Sequence, residues 1–178
     1  MKKIVQKLKR TWRFWTPKKA ERYVHNRLKK MLTETKIRYA VDSLSNDIQF
    51  SFVDDQQKGY AFHLSTSSKT HLCMYVVFSI DLNPESYDRI CHLSQMFNDH
   101  LAGMVVRLEM DKRRLTMYNE LPLDYCHVND EIIAERLYTM NRFSRDIVWA
   151  FDKLMHTEEQ AVFVFAEMVE RSREEVEN

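Results

Sequence analysis

Glycine is scarce in this chain, with only Gly59 and Gly103 in 178 residues. Loops that cradle phosphate or a dinucleotide need several glycines so that the backbone can approach the ligand. Nucleotide-dependent enzymes of the common kinds are therefore excluded. The cysteines are an odd set of three, Cys73, Cys91 and Cys126. None is spaced from another as metal ligands are, and no disulfide framework uses all three. Reduced thiols in a cytoplasmic protein are the expectation. Nothing approaches the ~18 consecutive apolar residues of a membrane span. A secretory signal is not expected either, because the longest apolar run before Pro17 is two residues. Acidic residues are missing from the first 19 positions.

What is present is an ordinary globular composition, 44% hydrophobic and 30% charged, with a net charge of +1. That average hides a split. Eight basic residues stand between Met1 and Lys19, and the rest of the chain holds 19 basic against 26 acidic residues. A basic arm is thus joined to an acidic body. On a helical wheel Ile4, Val5, Leu8, Trp12 and Trp15 fall on one side of the arm. Lys2, Lys3, Lys7, Lys9, Arg10 and Arg13 fall on the other.

Thr16-Pro17 reads as a cap followed by proline at the first helical position. Val24, Leu28, Met31 and Leu32 give that helix a buried stripe to about Glu34. Two-residue alternation follows, predicting strands at Ile37–Val41, Ile48–Phe52 and Tyr60–Leu64. Leu72–Ile80 is apolar almost throughout, which predicts a central strand covered on both faces. Short connections make these four strands an antiparallel meander. Asn83-Pro84 opens a helix to Gly103, with Tyr87, Ile90, Cys91, Phe97 and Leu101 inward. A hairpin spans Met104–Met110 and Leu115–Leu121 across the turn Asp111–Arg114. A long helix follows, with Ile133, Leu137, Met140, Ile147, Val148, Phe151 and Leu154 inward. Thr157-Glu158-Glu159-Gln160 reads as a capping box for a last, acidic helix. The expected class is α+β: an antiparallel sheet packed on helices in the order α-ββββ-α-ββ-α, with an extra helix at each end. The expected organisation is a basic arm over 1–15, an α+β body over 16–156 and an acidic helix over 157–178.

Three stretches carry a family resemblance: LSQMFNDHLAG (93–103), VVRLEMDKRRLTMYNELPLD (105–124) and IIAERLYTMNRFSRDIVWAFDKL (132–154). Together with the element order over Ala20–Leu154, they resemble the YbjN-like bacterial family, whose fold is shared with type III secretion chaperones. In that family an asparagine often closes the central helix, and Asn98 stands near that place here. A Leu-Pro-Leu-like segment ends the hairpin, matched by Leu121-Pro122-Leu123. The resemblance implies a fold more than an activity. It supplies no catalytic residue, and the arm and the last helix have no counterpart in the minimal family domain.

His92 and His100 share a helix but stand about 12 Å apart along it, too far for one ion. The pairs Cys91-His92 and Cys126-His127 diverge by about 100° if helical. Asp54-Asp55, Asp81, Asp111 and Asp124 fall at strand ends, where turn chemistry explains them. No metal site, cofactor or catalytic residue is expected, and the chain reads as a non-enzyme. The 10 methionines are mostly at inward positions. Met104, Met110 and Met117 are the alternative, an adaptable apolar surface for a protein segment.

Three destinations suit the arm, whose contact residues are Leu8, Trp12, Trp15, Lys7, Arg10 and Arg13. It can lie on an anionic membrane surface, grip nucleic acid, or fold back on the acidic body or a second subunit. Nucleic acid is the least favoured of these. The functional expectation is a protein-binding or chaperone-like regulatory module, cytoplasmic and homodimeric. The alternative is a regulator held peripherally at the inner membrane by the arm.

Overall fold

The computed structural model describes residues 17–53, 59–66, 71–80, 82–101, 103–122 and 130–177. It is α+β. Helix α1 (Pro17–Glu34) leads into β1 (Ala40–Val41), β2 (Ile48–Val53), β3 (Gly59–Ser65) and β4 (His71–Phe78). Helix α2 (Tyr87–His100), strands β5 (Val105–Glu109) and β6 (Arg114–Pro122), and helices α3 (Asp130–His156) and α4 (Ala161–Glu177) complete it. The six strands form one sheet in the order β1-β2-β3-β4-β6-β5, with every neighbouring pair antiparallel.

Strand alternation fills one side of the sheet. Phe62, Leu64, Leu72, Met74, Val76, Leu115 and Met117 are buried there. They share one core with Val24, Leu28 and Leu32 of α1, Ile90, Leu93 and Phe97 of α2, and Ile147, Phe151 and Leu154 of α3. Phe97 and Phe151 stack with ring centroids 5.8 Å apart. Burying each such side chain contributes ~1.5–3 kcal/mol relative to an exposed position. Ala161, Val164 and Met168 place α4 in the same core.

Several local expectations needed correction. The first strand is two residues long instead of five. α1 ends in a left-handed Lys36 (φ 59°), with the Ile37 amide bonded to the Leu32 carbonyl at 2.9 Å and the Lys36 amide to Thr33 at 3.1 Å. That reciprocal helix cap takes the Ile37 amide before it can join a ladder. Strand β4 is central, but only its even positions are buried. Cys73, Tyr75 and Val77 are half-buried on the other side. Asn83 caps a 3-10 turn (Pro84–Ser86), its Oδ1 accepting from the Glu85 amide at 3.1 Å, before α2 starts. On α2, Cys91 is exposed, and Leu93 and Ser94 take the inward places. Thr157 does not open α4. Its hydroxyl donates back to the Lys153 carbonyl, and Arg89 holds the carbonyls of Thr157 (2.7 Å) and Glu159 (3.3 Å), so the helix waits until Ala161.

Candidate functional site

The half-buried side of β4 belongs to a second sheet face. Period-two alternation sends Gln49 and Ser51, Ala61 and His63, Cys73, Tyr75 and Val77, Thr116, Tyr118 and Glu120, and Val105 and Arg107 to it. The pairing register aligns Gln49, His63, Tyr75, Tyr118 and Val105 in one row across five strands. Ser51, Ala61, Val77, Thr116 and Arg107 form the next row. None of Ala61, Cys73, Tyr75, Val77, Val105 or Tyr118 is among the core residues or the side chains packed against them. Ser51, Val105, Arg107 and Glu120 are exposed.

Side chains of this face hold one another. The His63 and Tyr75 rings stack at 4.6 Å with planes 9° apart. The Tyr118 hydroxyl donates to Glu120, and the Cys73 thiol lies 3.9 Å from the same carboxylate oxygen. At the β5–β6 end Glu109 accepts from Lys112 and Arg114, each at 2.8 Å.

Electrostatics follow from that packing. Burial lowers the His63 pKa, with Asp47 opposing and Arg114 adding to the shift. Burial pushes the Cys73 thiol up, which keeps it protonated and a poor nucleophile. Tyr118 is raised, first by its bond to the Glu120 carboxylate and then by burial. Glu109 is held low by its bond to Lys112, with Arg114 assisting. Neither the buried His63 Nδ1 nor the buried Asp47 Oδ1 has a partner among the described residues. The arrangement can offer hydroxyls, a carboxylate, an imidazole edge and aliphatic surface to a docking partner.

The three methionines singled out from the sequence do not share a surface. Met104 is 5% and Met117 0% exposed, both in the core, while Met110 is 52% exposed on the turn between β5 and β6. Even positions of β5 point outward only past the strand's end, which separates Met110 from the other two. The arm residues Lys7, Leu8, Arg10, Trp12, Arg13 and Trp15 lie outside the described residues, as do Asp54, Asp55, Asp81, Asp124, Cys126 and His127. His92 is exposed, and the His100 ring meets Phe165 edge-on at 5.6 Å. Among the described residues no three His, Cys, Asp or Glu side chains are grouped to hold a metal ion.

A recess of about 390 Å³ lies between the end of β4 and α3, lined by Ser79, Ile80, Asn83, Val148, Asp152, Met155 and His156. The His156 Nδ1 is 2.8 Å from the Asp152 carbonyl on its own helix, and its ring is exposed. Both ionisable groups of the recess thus sit one turn apart on α3, with His156 Nδ1 3.5 Å from the Asp152 carboxylate, on the same wall of it.

Sequence reasoning missed the His63–Tyr75–Tyr118 row. The signal was there in the alternation of β4 and β6, but only a known register brings the three together. The chain matches no family model, no curated protein and no solved structure. No described helix is long and apolar enough to cross a membrane.

Proposed function

We propose that the chain is a non-enzymatic, chaperone-like protein-binding module of YbjN-like type, working in the cytoplasm as a homodimer and presenting the outer sheet face to a protein segment. One observation carries this reading: a row of Gln49, His63, Tyr75, Tyr118 and the exposed Val105 crosses five strands, and none of these side chains belongs to the core among the described residues. Sheets that are filled on one side and mixed on the other leave that other side free for recognition. Tyrosines at such a surface combine a large apolar body with a hydrogen-bonding tip, the combination that interfaces favour.

Affinity capture at native expression, with and without a crosslinker, tests the reading. The parent is compared with a Ser51→Arg, Val105→Arg double variant, which changes two exposed positions of the face. A specific protein recovered with the parent and lost with the variant supports it. Recovery of nothing above background, or of the same protein in equal amount from both, overturns it. A second reading, a peripheral membrane regulator, rests on the amphipathic basic arm. Co-sedimentation of the full chain with anionic vesicles at low salt, and its loss in high salt, would favour that one.

A further inference from the structure

Strand β5 is the last strand of the sheet, and a last strand presents a row of unpaired N–H and C=O groups to any strand that comes alongside. Here that row is interrupted at Val106. The Asn98 Nδ2 donates to the Val106 carbonyl at 3.0 Å, and the Val106 amide donates to Asn98 Oδ1 at 2.6 Å. A primary amide carries one acceptor and one donor side by side, as a neighbouring strand does. Asn98 thus makes with Val106 the two bonds that a paired strand would make.

We infer that Asn98 closes the β5 edge of the sheet against a second copy of this chain, so that strand-to-strand association through β5 is blocked in the folded protein. Three observations converge. Val106 has both backbone groups committed to Asn98, which turns them away from β6. Its side chain is 2% exposed, which fixes the strand under α2 and holds the backbone at that angle. By the period of two, Leu108 is the next residue of β5 to face its backbone outward, and one residue is too little to seed a ladder. The occupant kept out is a copy of β5 itself. Antiparallel pairing about the strand's middle would be self-complementary, the geometry of a two-fold dimer. The backbone edge of β5 makes this contact and the outer-face side chains Val105 and Arg107 only flank it, while Asn98, on which the inference rests, lies on α2 and not on the docking face described above.

The test compares the full chain with its Asn98→Leu variant, which keeps the branched shape at Cγ and removes both bonds. Mass by light scattering over a concentration series is read together with amide exchange at Val106 in dilute solution. The expected result is association setting in at about tenfold lower concentration than in the parent, and Val106 exchange faster by about tenfold. Asn98→Asp keeps the acceptor for the Val106 amide and loses only the donor, so a milder shift is expected even if Asn98→Leu folds poorly. Val105→Lys places a second cation beside Arg107 on the edge strand and should return the Asn98→Leu variant toward the parental mass. Parental mass and parental Val106 exchange in Asn98→Leu would overturn the inference. So would association that Val105→Lys leaves undiminished, because the new contact would then lie elsewhere.

Discussion

The same strands build two unlike faces, and adjacent residues of β4 show how little separates them. Met74 is 0% exposed inside the core, while its neighbour Cys73 is half-buried on the outer face beside Glu120. Their side chains are comparable in polarity. Only the parity of the strand decides that one belongs to packing and the other to a surface. Helices lie against the even face, so it is dry and dense. The other face is held by the cross-strand pair His63–Tyr75 and by Tyr118–Glu120, two residues apart on β6. An aspartate at each position should break this comparison if it is wrong. Met74→Asp buries a carboxylate without a partner and is expected to prevent folding or cost more than ~4 kcal/mol. Cys73→Asp is expected to cost ~1 kcal/mol or less beyond its repulsion from Glu120. Chemical denaturation of both variants checks this, and equal losses would mean that the odd face is also core.

The division was legible in part. Alternation in Ile48–Phe52 and Tyr60–Leu64 put the right residues inside, and Asn83-Pro84 and the hairpin turn fell where the structure has them. Strand β4 misled because cysteine, tyrosine and valine are apolar by type, and a half-exposed face made of them looks like a covered one. Cys91 misled in the same way on α2. The short β1 was hidden because a lysine, and not the usual glycine, takes the left-handed position that ends α1. A single sequence does not reveal the outer row, since that needs the register of five strands. Nor does it reveal the Asn98–Val106 pairing, which joins a helix to a strand across eight residues.

A gentler way to sharpen the comparison uses pH. His25 on α1 and His63 on the outer face are both shifted down by burial, with Lys29 adding to the first and Arg114 opposing Asp47 at the second. A histidine whose folded pKa is lowered binds fewer protons in the folded state than in the unfolded one. Stability is then full above the unfolded value of about 6.5 and is lost as pH falls through the folded values. The expected outcome is a melting temperature that is flat above pH 6.5 and declines below it. His63→Gln should remove part of that decline while leaving the rest to His25. The separate loss from Glu109, whose pKa is held down by Lys112 and Arg114, should appear only below about pH 4.5. A melting temperature that does not change between pH 7 and 5 would show that neither imidazole is buried as the structure has it.

The smallest effect is expected where the two faces differ least in contact number and most in solvent. Tyr118→Phe removes only the hydroxyl that donates to Glu120. On the inner face the loss of a comparable bond, such as Tyr60 to Asn141 at 2.9 Å, leaves a part-buried acceptor unmatched and should cost ~1 kcal/mol. On the outer face water can replace the missing partner of the exposed Glu120, so the change in stability should stay within ~0.5 kcal/mol. Burial, and not the count of hydrogen bonds, then sets the cost. If Tyr118→Phe destabilised the chain as much as Tyr60→Phe, the outer hydroxyls would be structural, and the face would have less freedom to meet a partner than its exposure implies.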